Sequence, residues 1–155
     1  MDASTGAEFL PDGPVRRMIE AANRHDLDAM VAEFAEDYEN ITPNHPARSF
    51  TGRAQVRWNW ENLFAGVPDL RVTVYDATTT PDRTVWMEWG NRGTRRDGMT
   101  IEMRGVAIFA VSDQQIRTVR FYLEPVDHGS DDVNVTVQKS AGLGDLVETP
   151  SAAGR

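Results

Sequence analysis

Four segments in the second half of the chain are predicted to be β-strands separated by turns. They cover residues 70–75, 84–92, 100–111 and 116–124. Asp97-Gly98, between the second and third segments, is a strong hairpin signal, and short polar turns at 80–83 and 112–115 separate the others. Strands joined by such short turns pair with their neighbours in antiparallel fashion. The sequence therefore predicts an antiparallel meander of four strands.

The chain before the meander has helical periodicity with one interruption. Asp12-Gly13-Pro14 is a good helix start, because proline is tolerated in the first turn. Arg24-His25-Asp26 breaks the pattern, and Asp26 or Asp28 can cap a second helical piece. We expect His25, at the break, to be a solvated turn residue. The apolar positions of the two pieces are Val15, Met18, Ile19, Ala22, Leu27, Met30, Val31 and Phe34.

A short strand, a loop and a second helix connect the broken helix to the meander. Residues 38–42 alternate, two prolines in 43–48 indicate a loop, and a helix is expected over about 53–64. Trp60 on this helix is interpreted as a core residue that can also line a pocket. Because the helices precede an antiparallel sheet, the predicted fold class is α+β, with the helices on one face of the sheet.

The domain organisation is predicted from the composition of the two ends. Residues 1–13 are interpreted as a flexible leader, 14–125 as one folded domain and 126–155 as a polar tail. Within the tail, residues 133–137 resemble a strand, but glycine, serine and acidic residues dominate the rest, so we expect it to be flexible. A lid or a partner-binding arm is the alternative.

Composition argues against several classes of function. A net charge of -8 argues against a nucleic-acid partner, because a phosphate backbone requires a basic patch. No apolar run approaches the roughly 20 residues of a membrane span, and no signal peptide is recognisable, so we expect no membrane partner and a cytoplasmic location. Three widely spaced histidines without cysteine argue against a metal site, and no phosphate-binding glycine loop is present, so no cofactor is expected.

Glu88 stands among bulky apolar residues in the strand at 84–92. Strand side chains alternate, so Glu88 shares a face with Trp86 and Gly90, opposite Met87 and Trp89. If the face of Glu88 is buried, desolvation raises its pKa and it can act as an acid or base near neutral pH. If that face is wet, Glu88 pairs with Arg104 across the hairpin. The residues alone leave both alternatives open.

The last two strands predict which side chains face the helices. The expected inward rows are Met103, Gly105, Ala107 and Phe109 in one strand and Val119, Phe121 and Leu123 in the other. Because Gly105 and Ala107 are small, we expect them to leave room for a cavity above the sheet.

Several of these features occur together in a known superfamily. The broken helix, Tyr38-x-Asn40, Gly52-Arg53, the sequence at 67–70 and the meander resemble the nuclear transport factor 2-like superfamily. More closely, the chain resembles its SnoaL-like branch, which includes polyketide cyclases and limonene epoxide hydrolase. The resemblance covers about residues 14–125, with the best local matches at 35–37, 50–53, 64–70 and 93–94. It implies a curved antiparallel sheet wrapped by N-terminal helices into a cone with a deep apolar pocket, in a protein that is often a homodimer.

The resemblance also has implications for individual residues. Tyr38 and Asn40 match the tyrosine and asparagine that help to hold water in the epoxide hydrolase. Its Arg-x-Asp pair falls on Glu88 and Gly90 and its second aspartate on Phe121, so the Asp-Arg-Asp machinery is not retained. The base of the related ketosteroid isomerases falls on Thr42. The same alignment places Glu88 on the pocket face.

Two functional hypotheses follow from the sequence. The first is a cofactor-independent enzyme of cyclase, isomerase or hydrolase type acting on an apolar ring or polyketide-like molecule. In it Glu88 is the general acid or base, and Tyr38 and Asn40 hydrogen-bond a substrate oxygen or water. The expected pocket lining is Trp60, Trp86, Met103 and Phe121. The second hypothesis is a non-catalytic ligand-binding or dimerisation module of the same fold, which a bare apolar cone would favour.

Overall fold

The helices and strands are given by a computed structural model, which describes residues 4–143. Their bounds, in chain order, are α1 Pro14–Asn23, α2 Leu27–Ala32, β1 Phe34–Ile41, β2 Phe50–Thr51, α3 Arg53–Gly66, β3 Arg71–Thr79, β4 Thr84–Thr94, β5 Thr100–Ser112, β6 Gln115–Pro125 and α4 Val133–Ala141. Single turns of 3₁₀-helix occur at Ala7–Phe9 and Pro46–Arg48. The fold is α+β, as the sequence predicts.

The six strands form one curved, unclosed sheet in the order β2-β1-β6-β5-β4-β3. Strands β3 to β6 pair with their neighbours in antiparallel fashion, which confirms the predicted meander. Strand β1 pairs in parallel with β6, far away in sequence, and pairs antiparallel with the short β2. The local turn signals could not predict the parallel pair, because no hairpin joins its two strands.

The break in the first helix occurs where the sequence predicts it. Gly13 precedes α1 with Pro14 in its first turn, and the Asp26 side chain caps α2 by accepting a hydrogen bond from the Ala29 N–H. Phe34, predicted as part of the second helical piece, instead begins β1. His25 is not a solvated residue: it lies 2.8 Å from the Leu70 carbonyl through Nε2 and stacks on Phe64.

Part of the segment predicted to be a flexible leader packs against the domain. Ala7 and Leu10 are buried, and the Val74 N–H donates a hydrogen bond to the Thr5 carbonyl at 2.7 Å. Gly6 lies so close to β3 that a Cβ there would be 1.8 Å from the Val74 carbonyl oxygen. The N-terminal segment therefore covers β3, which is an edge strand of the sheet. Its backbone is then less open to pairing with a strand of another molecule.

The strand-like segment at 133–137 belongs to helix α4. Asp132 caps the helix by accepting from the Val135 N–H at 3.0 Å, and Gly142 ends it in the left-handed conformation. Helix α4 leaves Val133 and Val137 exposed, and a flexible tail or lid stays a prediction for residues 126–143. The remaining predictions for the ends of the chain fall on residues 1–3 and 144–155, outside the described residues.

The core lies between the helices and one face of the sheet. We call this the inner face; its buried members include Val72, Val74, Val85, Met87, Trp89, Ala107, Phe109, Ile116 and Val119. Opposite them, α1 and α2 contribute Val15, Met18, Ile19, Ala22 and Met30. The opposite side of the sheet, which carries Glu88, Arg104 and Tyr122, is the outer face. In the part of the chain from 4 to 143, no helix is both long and apolar enough to cross a membrane.

Candidate ligand-binding site

The orientation of β4 determines which predicted site residues come together. Met87, Trp89 and Asn91 lie on the inner face, whereas Trp86 and Glu88 lie on the outer face. The Glu88 side chain is 46% exposed, and its Oε1 accepts a hydrogen bond from Arg104 Nη2 at 3.2 Å. Arg104 also lies 3.8 Å above the Tyr75 ring. The prediction that Glu88 faces the pocket is therefore wrong, and the alternative, an ion pair with Arg104, is confirmed.

Trp86, like Glu88, lies on the outer face and not in the pocket, and the same physical reason accounts for both placements. Trp86 is 41% exposed on the outer face, so it does not line the pocket as expected. A shift of one residue along a strand moves every side chain to the opposite face. A displacement of one residue along β4 is therefore enough to place Glu88 on the wrong face.

A cavity of about 960 Å³ opens between α3, β1 and the inner face of the sheet. Its walls are mostly apolar. The lining includes five of the predicted site residues: Tyr38, Asn40, Trp60, Met103 and Phe121. The predicted pocket therefore exists, with these five residues around it and without Glu88 and Trp86.

The room for this cavity does not come from small residues in β5. Neither Gly105 nor Ala107 is among the lining residues. A Cβ at Gly105 would lie 1.8 Å from the Tyr122 carbonyl oxygen, so the glycine permits a close approach of β6. The expectation that these two residues leave space for a ligand is wrong.

Three polar side chains form a hydrogen-bonded row along β1 and the residue after it. The Tyr38 hydroxyl donates to Asn40 Oδ1 at 3.1 Å, and Asn40 Nδ2 donates to Thr42 Oγ1 at 3.1 Å. Burial raises the pKa of Tyr38 above its ordinary value, so the phenol stays protonated at neutral pH. Tyr38 retains acceptor capacity on its oxygen, and a ligand hydroxyl can use it.

Asn91 is a lining residue that the sequence analysis missed. It is only 9% exposed, and no hydrogen bond joins its amide to another group of residues 4–143, but the amide is accessible from the cavity rather than enclosed. Trp89, two residues earlier on the same face, has a buried indole N–H that is also unpaired in the described chain. Asn91 could have been found by extending the row Met87, Trp89 by two residues.

Charged residues surround the mouth of the cavity. Arg48 comes from the β1–β2 loop, and Arg95, Arg96 and Asp97 from the β4–β5 turn. Arg95 Nη2 lies 2.5 Å from Asp97 Oδ2, and Arg96 Nε donates to the Ala65 carbonyl at the end of α3. Asp97 is the single carboxylate among the described lining residues, and no histidine is among them.

The arrangement can enclose an apolar body and hydrogen-bond a few polar atoms. Within residues 4–143, no group of three or more histidine or acidic side chains is placed to hold a metal ion. The fold and site thus define a class: a cone-shaped α+β domain with an interior cavity.

Comparison with known proteins identifies the family within that class. The family model for the SnoaL-like domain matches residues 15–119, and the chain belongs to this family, as the resemblance indicates. No protein of curated function matches the chain.

Solved structures share the fold. A candidate polyketide cyclase from Xanthomonas campestris pv. campestris is 28% identical, with 69% of this chain and 84% of that chain covered and a TM-score of 0.56. AclR, a candidate hydroxylase from Streptomyces galilaeus, is 16% identical over 72% and 86% of the two chains, with a TM-score of 0.62. An NTF2-like protein of unknown function from Burkholderia pseudomallei is 16% identical over 72% and 88%, with a TM-score of 0.61.

Proposed function

We propose that this protein binds a largely apolar small molecule in the cavity and holds it without carboxylate chemistry. The observation that carries the proposal is a cavity of about 960 Å³ with apolar walls, onto which the amide of Asn91 opens. Ligand pockets combine an apolar lining with a few convergent polar groups in this way.

The size and lining of the cavity indicate the kind of ligand. Pockets for drug-sized molecules have volumes of roughly 300–1,000 Å³, so this one accommodates a molecule of several rings or a folded polyketide-like chain. Trp60 and Phe121 provide aromatic surface for such a body. The names of the similar structures, a candidate polyketide cyclase and a candidate hydroxylase, support a small molecule of this kind.

The polar groups indicate where the oxygens of the ligand lie. The Asn91 amide, which is accessible from the cavity, can both donate a hydrogen bond to and accept one from a ligand group. Tyr38 and Asn40, which already bond each other, form a second polar position on β1. A ligand with two separated oxygens fits these positions.

Among residues 4–143, no carboxylate is suitably placed for acid–base catalysis in the cavity. A general base must lie within hydrogen-bond reach of the reacting proton. Glu88 is on the opposite side of the sheet, and Asp97 at the mouth is paired with Arg95. Because Tyr38 stays protonated, it is a hydrogen-bond donor rather than a base at neutral pH. Binding, the second hypothesis from the sequence, is therefore the function that the geometry supports better. The homodimer and the cytoplasmic location remain predictions.

The proposal is tested by binding of N-phenylnaphthylamine, an uncharged dye that fluoresces in apolar sites. Wild-type protein should bind it, and Met103→Trp, which fills the cavity, should abolish most of the fluorescence. The matched control is Arg104→Trp, which adds the same ring one residue later on the outer face. It should keep dye affinity.

Circular dichroism and urea unfolding establish that both variants fold. Absence of dye binding by the wild type, or equal binding by folded Met103→Trp, would contradict the proposed function.

A further inference from the structure

We propose that the ligand has an anionic group, a carboxylate, sulfonate, sulfate or phosphate, which Arg48, Arg95 and Arg96 receive at the mouth of the cavity. This inference rests on the proposed function and specifies the ligand class. The molecule is then an amphipathic anion: its apolar body fills the cone and its charge remains at the opening.

Positive charge is concentrated at the opening of the cavity in an otherwise acidic chain. The chain has 24 acidic residues against 16 lysines and arginines. Among the described lining residues this balance is reversed, since three arginines face a single carboxylate, that of Asp97. A concentration of positive charge around one opening attracts anionic ligands and orients them during approach.

The three arginines differ in the partners that they already have. Arg95 is paired with Asp97, and Arg96 is held by the Ala65 carbonyl, so both contribute mainly through their positive field. Arg48 is exposed and has no carboxylate partner within residues 4–143. Its guanidinium is available for bidentate hydrogen bonds to an anion, the geometry that arginine favours.

The loop that carries Arg48 is anchored to the rest of the domain. The Arg48 N–H donates to the His45 carbonyl at 2.8 Å, and His45 Nε2 lies 2.6 Å from Glu124 Oε1 on β6. These contacts hold the base of the Arg48 side chain beside the opening. Less conformational entropy is therefore lost when Arg48 binds an anion.

The side chains along β4 and the following turn change from apolar to polar and then to positively charged. The inner face presents Met87, Trp89 and Asn91 in succession, and the turn then brings Arg95. At about 3.3 Å per residue, Arg95 lies roughly 13 Å along the strand from Asn91. A ligand with an apolar body, one hydrogen-bonding group and an anionic end meets these residues in the same order.

The test compares two dyes that differ by one charge. Anilinonaphthalene sulfonate has the rings of N-phenylnaphthylamine and an added sulfonate. The wild type should bind the sulfonate more tightly, and Arg48→Gln should weaken sulfonate binding by roughly three- to fivefold, as expected for one partly solvated charge pair. Affinity for the uncharged dye should not change. The preference for the sulfonate should also disappear at about 1 M salt, where the Debye length is ~3 Å.

Arg120→Gln is the matched control, because it removes the same charge from an exposed site on the outer face. It should leave both affinities unchanged. If the uncharged dye binds in the cavity but the sulfonate is not preferred, or if the two arginine variants behave alike, the anion inference is overturned and the proposed function stands. If the uncharged dye does not bind to the wild type, the proposed function fails and the inference fails with it.

Discussion

The two faces of β4 have similar residues and opposite roles. Each carries a tryptophan and a polar residue: Trp89 and Asn91 on the inner face, Trp86 and Glu88 on the outer face. Trp89 is 4% exposed, whereas Trp86 is 41% exposed. The polar residues differ in the same way, since Glu88 has a partner in Arg104 and Asn91 has none in the described chain. Residue type alone therefore does not identify the functional face.

The difference indicates where to look for function in a fold of this kind. A polar group on a wet face finds a partner or water at little cost, so its presence says little. A polar group that is buried without a partner is costly, and proteins retain such groups mainly at sites of function. Among the described residues the Trp89 indole N–H meets this criterion, and the Asn91 amide on the same face opens onto the cavity, whereas Glu88 does not meet it.

The largest expected effect comes from the two tryptophans. Trp89→Ala should lower the free energy of unfolding by about 3–5 kcal/mol, because it leaves a void next to Phe121 in the core. Trp86→Ala should cost no more than about 1 kcal/mol, since much of its side chain is already in water. Urea unfolding of both variants measures the difference. Equal losses would mean that the outer face is also packed, for instance against another molecule.

An intermediate effect is expected from two asparagines of the cavity. Asn91→Leu should change the free energy of unfolding by less than about 1 kcal/mol, because the amide that it removes opens onto the cavity and has no hydrogen-bond partner in the described chain. Asn40→Leu is the matched control and should lower it, because Tyr38 and Thr42 lose their hydrogen-bond partner. The same unfolding experiment measures both. A loss of stability in Asn91→Leu as large as that in Asn40→Leu would show that the Asn91 amide is not unpaired.

The smallest effect is expected at Glu88. Glu88→Gln should change the free energy of unfolding by no more than about 0.5 kcal/mol, since its ion pair with Arg104 is half exposed. Affinity for N-phenylnaphthylamine should be unchanged, because the residue and the cavity lie on opposite sides of the sheet. A clear drop in dye affinity would argue against this placement and would return Glu88 to consideration as a site residue.

Much of the fold follows from local signals in the sequence. Asp97-Gly98 predicts the β4–β5 hairpin, Gly13-Pro14 the start of α1, and Asp26, one of two candidates, the cap of α2, because each acts through its own backbone or the next turn. Alternation likewise predicts that Glu88 and Trp89 point in opposite directions. These features require no knowledge of distant parts of the chain.

The tertiary structure alone decided which of the two rows of β4 is the inner one. A period of two residues separates the rows but does not orient them; the packing of the helices against Met87 and Trp89 does. Non-local contacts also decided the parallel pairing of β1 with β6, the hydrogen bond between Thr5 and Val74 of β3, and the burial of Ala7 and Leu10. The candidate site depends on that orientation, because it exposes the Asn91 amide to the cavity and leaves the Glu88 carboxylate in water.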